Sequence, residues 1–144
     1  MSETLFHLAI PINDLARAKA FYAEGLGCEI GRENPQAIIF NFYGHQVVAH
    51  MTKERLAPQG GIYPRHFGII FARELDWAAL VERAKSHNLT FYHGTQQRFR
   101  GQITEHRTVF LEDPFYNLLE FKYYSHPEAI FGSRELTGIG DRLP

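Results

Sequence analysis

The sequence predicts an α+β domain built from two βαβββ units. Three features point there: a repeated apolar strand bearing a histidine, an amphipathic helical stretch after each copy, and short strand-like runs after each helix. The first copy reads Phe6-His7-Leu8-Ala9-Ile10-Pro11-Ile12-Asn13-Asp14-Leu15. The second opens at His66-Phe67-Gly68-Ile69-Ile70-Phe71 and runs to Leu75, an offset of 59 residues (66 − 7). Histidines in equivalent places of two equivalent units are the starting point for function.

Each element has a local cause. Residues 5–12 read as a buried strand. The helix after it takes Asn13 as its N-cap, with Asp14 in the first turn, where a carboxylate favours the helix dipole. Leu15, Ala18 and Tyr22 recur at helical spacing with Phe21 beside them, and Gly25 and Gly27 end the helix. Residues 28–32, 37–43 and 46–52 are short strands, the last two joined by a tight turn at Gly44-His45. A linker at 53–65 carries Pro58, Gly60, Gly61 and Pro64 and is too short to separate independent domains.

In the second unit, residues 66–72 form a strand. Residues 76–87 form a helix with Trp77, Leu80, Val81 and Ala84 on one face and Asn88 at its C-terminal end. Strands follow at 89–93, 108–111 and 118–123. A polar stretch at 94–107, with Arg98, Arg100 and Arg107, interrupts the pattern, and 112–117 is a turn by composition. The tail, 124–144, lacks clear periodicity. The expected organisation is one domain over 1–144, with the units at about 5–52 and 66–123.

Composition narrows the function classes. Fifteen basic and 16 acidic residues give a net charge of −1, which leaves no electrostatic footprint for nucleic acid. No apolar run approaches the ~20 residues that span a bilayer. Met1-Ser2-Glu3-Thr4 lacks the pattern of a signal peptide. The lone Cys28 excludes an intrachain disulfide and suits a reducing cytoplasm; falling in a predicted strand, it reads as a buried, inert thiol. Eight histidines and an aromatic content of 14% supply metal ligands or acid–base groups and the bulk to line a small-molecule pocket.

Alternation along the strands decides which side chains share a face. His7, Ala9 and Pro11 point one way, and His66, Gly68 and Ile70 do the same in the repeat. With the bulky apolar set placed against the helices, each histidine faces the opposite, concave side. Aligning the last strands of the units matches His50 with Glu120. Glu120 sits in the apolar run Leu118-Leu119-Glu120-Phe121, where an unpaired carboxylate is costly to bury, so a cation is expected nearby. His7, His66 and Glu120 converging from three strands form a facial set suited to one divalent metal such as Fe(II), with Mn(II), Zn(II) or Ni(II) as alternatives. Singly, the histidines read as satisfied core residues and Glu120 as paired to Lys122 or an arginine.

These residues carry a resemblance. The paired βαβββ units, the opening histidine strand, Phe21-Tyr22 before Gly25-Leu26-Gly27, and Asp113-Pro114-x-x-Asn117-x-x-Glu120 resemble the vicinal oxygen chelate superfamily of glyoxalases, bleomycin-resistance proteins and extradiol dioxygenases. The resemblance spans roughly residues 5–123. It implies an incomplete eight-stranded barrel around a central metal site, with His7, His66 and Glu120 at the ligand positions. Families of this type often have Asp-Gly at the last turn, where this chain has Phe115-Tyr116; the bulk alters the pocket rim. Glyoxalase I-like members place a carboxylate near His50. Histidine there implies an extradiol-type dioxygenase acting on a small aromatic diol, with a glyoxalase-type isomerase or lyase and a non-catalytic drug-binding protein as the rival readings.

His50 is then a pocket residue able to exchange a hydrogen bond with substrate, or a bland strand-end residue. His106 and His93 are second acid–base candidates or surface histidines. Lys122 shares the face of Glu120 and either neutralises an anionic substrate or snorkels outward. Arg98, Arg100 and Arg107 hold a substrate carboxylate or are solvated loop charges. Open strand edges make a homodimer the expected assembly.

Overall fold

The computed structural model describes residues 4–141. β1 (His7–Ile12) buries Ile10 and Ile12 and leaves His7, Ala9 and Pro11 exposed, the period-two pattern of a half-buried strand. The helix after it begins as α1 (Leu15–Ala18) and continues directly as a π-helical stretch, Lys19–Gly25, which buries Phe21 and Tyr22. Its N-cap is Asp14, not Asn13: the Asp14 carboxylate accepts from the Arg17 N–H at 3.0 Å. Then come β2 (Glu29–Asn34), β3 (Ala37–Phe42) and β4 (His45–Met51). The β3–β4 turn is Tyr43-Gly44, both at positive φ (54° and 90°), so His45 already belongs to β4.

The second unit repeats the order: β5 (Phe67–Phe71), α2 (Glu74–Ser86), β6 (Thr90–Arg98), β7 (His106–Glu112) and β8 (Leu118–Tyr124). Acidic Glu74 and Asp76 in the first turn of α2 and basic Arg83 and Lys85 in its last complement the helix dipole. The polar stretch expected to interrupt the pattern instead extends β6 to Arg98. Two register shifts absorb its irregularity, one between Phe91 and His93 and one between His93 and Gln96.

Each unit makes one four-stranded sheet, in the orders β1-β4-β3-β2 and β5-β8-β7-β6. β1 and β5 run parallel to β4 and β8, and the helix supplies the crossover that a parallel pair requires. The two sheets share one core. Ile12, Phe40 and Phe42 cluster with Trp77, Leu119 and Phe121, and the Phe42 and Phe121 rings lie 6.3 Å apart. Trp77 Nε1 donates to the Phe121 carbonyl at 2.8 Å. Arg83 on α2 donates to the Gly25 and Glu24 carbonyls, docking one helix on the other.

Because the helix-bearing faces pack together, the opposite faces of the sheets turn away from each other. The expected incomplete barrel is present as two open sheets that do not close within one chain. The face of the first sheet that carries His7 and His50 is largely open, with Val48 buried on it, whereas that of the second is covered by the linker and by the tail. Ile62 of the linker packs there on Phe110 and Leu118. Among the described residues, no helix is long and apolar enough to cross a membrane.

Candidate metal centre

The register of β5 and β8 builds the site. Gly68 stands opposite Glu120, and a Cβ at Gly68 would overlap the Glu120 carbonyl, so only glycine permits this close approach. One residue before β5, half-buried His66 leans over the same face. Its Nε2 lies 3.0 Å from Glu120 Oε1, and its Nδ1 lies 2.6 Å from the Ile62 carbonyl. A carbonyl only accepts, so Nδ1 carries the hydrogen. The other oxygen of Glu120 accepts a hydrogen bond from the Thr108 hydroxyl.

Glu120 is 7% exposed. Burial pushes its carboxyl up, but the His66 hydrogen bond, the Lys122 charge and the Thr108 hydrogen bond outweigh that and hold it below the usual range. The hydrogen bond to Glu120 raises His66. Without a cation, a proton on Nε2 joins the pair. An Nε2 whose partner nitrogen is committed to a carbonyl, set against a buried carboxylate, is also the arrangement of a metal-binding histidine, so these residues fit a divalent ion.

His7 lies on the other sheet, exposed, donating from Nδ1 to Gln46 Oε1 at 2.7 Å. A single chain therefore brings together two of the three expected donors, and among the described residues no three His, Cys, Asp or Glu side chains could share a metal. The cause is the back-to-back packing of the units. His50 shares the open face with His7, standing opposite Pro11 and Ala37 in the sheet.

His106 and Lys122 stand on the same face as Glu120. His106 opposes Tyr124 across β7 and β8, and Lys122 opposes Thr108. Lys122 Nζ donates to the Tyr124 hydroxyl at 2.9 Å. His106 is 2% exposed, and burial holds it below the ordinary histidine value, hence neutral. His93 is exposed. Arg98 pairs with Asp141 at 3.1 Å and Arg107 with Glu74 at 3.3 Å; Arg100 is exposed.

Asp113 is structural: Oδ1 accepts the Phe115 and Asn117 N–H groups, while Oδ2 accepts Asn117 Nδ2 and the Tyr22 hydroxyl. Tyr116 takes φ 67°, the left-handed conformation that Asp-Gly turns supply with glycine. Phe115 and Tyr116 rim a cavity of about 400 Å³ that runs from β1 to His66. Sequence reasoning missed Thr108 and the Ile62 carbonyl. Alternation from His106 would have found Thr108; no sequence signal marks Ile62.

The family model of the Glyoxalase/Bleomycin resistance protein/Dioxygenase superfamily matches residues 4–121. Among solved structures, the chain is similar to a glyoxalase/bleomycin resistance protein/dioxygenase from Alicyclobacillus acidocaldarius. The identity is 43%, over 90% of this chain and 97% of that one, with a TM-score of 0.84. At 19% identity it shares its fold with fosfomycin resistance protein FosX from Listeria monocytogenes, with a TM-score of 0.68 over 90% of this chain and 99% of that one. It likewise shares the fold of lactoylglutathione lyase from Agrobacterium tumefaciens, at 19% identity and a TM-score of 0.66, over 91% of this chain and 98% of that one. No curated protein matches the chain.

Proposed function

Because the chain belongs to the Glyoxalase/Bleomycin resistance protein/Dioxygenase superfamily, we propose that it is a metal-dependent enzyme for a small molecule that chelates through two adjacent oxygens. The donors in this reading are His66 and Glu120 of one chain and His7 of a second copy, in a cytoplasmic homodimer. One observation carries it: His66, with Nδ1 committed to the Ile62 carbonyl, turns Nε2 to a buried carboxylate 3.0 Å away. A proton joins these two atoms in the metal-free chain, and a divalent metal would take its place between them.

Support for the second copy comes from the open face of the first sheet. There His7 has its Nδ1 occupied by Gln46, leaving Nε2 as the acceptor nitrogen. Leu5 and Phe6 beside it are 57% and 61% exposed, and β1 and β5 are both unpaired sheet edges.

The finer reading is a non-haem Fe(II), extradiol-type dioxygenase acting on a small aromatic diol. The donor set of two histidines and one carboxylate supports it, as does histidine rather than a carboxylate at position 50. When bound, the metal supplies Lewis acidity to the chelated oxygens. The chain's own groups orient and move protons. Thr108 fixes the Glu120 carboxylate, His106 offers a neutral acceptor nitrogen, Lys122 meets negative charge on the substrate, and His50 borders the hollow from the second copy's sheet.

The test is elemental analysis of protein purified without oxygen, then oxygen uptake against a panel of catechols. About one metal per chain and oxygen consumption are expected for a mononuclear site of this type. Metal-free protein that is inert to added metal overturns the reading. Turnover without oxygen uptake replaces the dioxygenase with an isomerase or lyase, the class for which the Agrobacterium neighbour is named.

A further inference from the structure

β8 ends at Tyr124, and the tail then runs back across the face of the second sheet that carries His106 and Lys122. Little holds it down. Among the described residues of the tail only Ala129 is buried, while Phe131 and Ile139 are 92% and 77% exposed. Its backbone hydrogen bonds from Ala129 to His126, Ile130 to Pro127, Gly132 to Glu128 and Leu136 to Ser133 close within the tail itself. Between it and β7 and β8 lies a cavity of about 280 Å³ in place of a packed layer.

The two ends are fastened differently. At the near end, Ser125 Oγ donates to Glu105 Oε2 at 2.8 Å, and the Ser125 N–H donates to the Glu105 carbonyl at 3.1 Å. At the far end, Ile139 makes a single β-bridge and the Asp141 N–H donates to the Tyr63 hydroxyl at 2.8 Å. Arg98 Nη2 donates to Asp141 Oδ2 at 3.1 Å. Gly140 takes φ 57°, and a side chain there would collide with the Tyr63 hydroxyl.

The closed tail also leaves polar atoms beneath it unsatisfied. Arg98 and His106 stand opposite each other across β6 and β7. Arg98 Nε and His106 Nε2 are both buried with no partner. His106 Nδ1 carries its hydrogen to the Thr104 carbonyl at 3.0 Å, so the orphan Nε2 is an acceptor. Such atoms destabilise the state that buries them, and water satisfies both once the cover lifts. A cover with little buried surface of its own belongs to the part of a fold that opens first.

We propose that residues 126–138 form a strap that lifts off the second sheet, hinged at Ser125 and latched by Asp141 on Arg98 and Tyr63, and that only the lifted form exposes His106 Nε2. With the strap down, His106 reaches neither substrate nor water, so the strap gates the face on which the proposed function places it. The gating role rests on that reading. The lifting does not, and it is measured without metal.

Diethyl pyrocarbonate acylates unprotonated imidazole nitrogens that solvent reaches, and peptide mass spectrometry assigns each site. In chelator-treated wild-type protein at neutral pH, His106 should label at least about tenfold more slowly than exposed His50 and His93. Asp141→Ala removes the ionic latch, and Gly140→Ala disrupts it without removing a charge. Each should speed His106 labelling about tenfold, the effect of one lost charge-assisted hydrogen bond. The His50 rate should not change, and Cys28 should stay closed to iodoacetamide. A wild-type readout covers variants that fail to fold: the Asp141 amide should exchange with deuterium about a hundredfold faster than the amides of β7 and β8. Wild-type His106 labelling as fast as His50, an unchanged His106 rate in either variant, Cys28 opening together with His106, or equal protection of Asp141 and β8 would each overturn the proposal. None of these outcomes bears on metal content, so the metal reading stands or falls separately.

Discussion

Tyr22 and Asp113 join the two units through a buried hydrogen bond of 2.6 Å. The Tyr22 hydroxyl is pushed well above its usual value by burial and by the Asp113 charge, so it stays protonated and donates. Tyr22→Phe removes the donor and leaves a buried carboxylate oxygen with only Asn117 Nδ2. The expected loss of stability is about 1–3 kcal/mol, read as a lower urea midpoint at unchanged denaturant slope.

Gly68→Ala should be far more damaging than its size implies. The added methyl would overlap the Glu120 carbonyl, so β5 and β8 must part. A cost of about 1–3 kcal/mol is expected for such overpacking, together with lost metal retention. Gly60→Ala is the control: a Cβ there meets nothing within 4 Å, and its melting temperature should match the wild type.

The proposed shared centre makes a complementation prediction. His7→Ala and His66→Ala chains should each fail to retain metal alone. Mixed, unfolded and refolded together, they should recover about one quarter of the wild-type metal, because half the dimers are mixed and each of those carries one intact site. Zero recovery would refute a centre that draws His7 from the second copy. Light scattering should report a dimer mass.

Cys28 is buried, and burial pushes its thiol up to about 12, partly offset by Arg83. Its folded value lies above the unfolded one, about 8.5. Its contribution to stability is therefore intact below about pH 8.5 and fades as the pH rises from there toward about 12, because the unfolded chain loses the proton first. Iodoacetamide should leave the native thiol untouched at pH 8 and label it fully in denaturant; rapid native labelling would contradict this.

The paired units were legible because strand alternation and the helical stripe at Leu15, Ala18 and Tyr22 are local patterns. So was the placing of His66 and Glu120 on one face, since alternation and the repeat bear directly on it. Alternation orders side chains relative to their own sheet, however, and says nothing of how two sheets pack. That is why His7 stands apart from the other two proposed donors within one chain. The capping role of Asp14 hid behind Asn13, because adjacent residues of equal capping propensity are separated only by backbone dihedrals. β6 was truncated at His93 because its bulges break the period-two pattern. The tail is held by single contacts such as Asp141 to Tyr63, which leave no periodic trace.

The parallel pairing of β1 with β4, and of β5 with β8, has a kinetic consequence. His7 aligns with Gln46 and Phe67 with Leu119, so the first strand of each unit finds its mate only after the rest of that unit has formed. In the first unit the antiparallel strands between are joined by tight turns and can zip early, whereas the opening strand must wait and then close a loop of nearly forty residues. A ribosome releasing this chain therefore holds Leu8 and Ile10 unsatisfied until the fourth strand emerges, and the interval in which a chaperone can act is set by that delay.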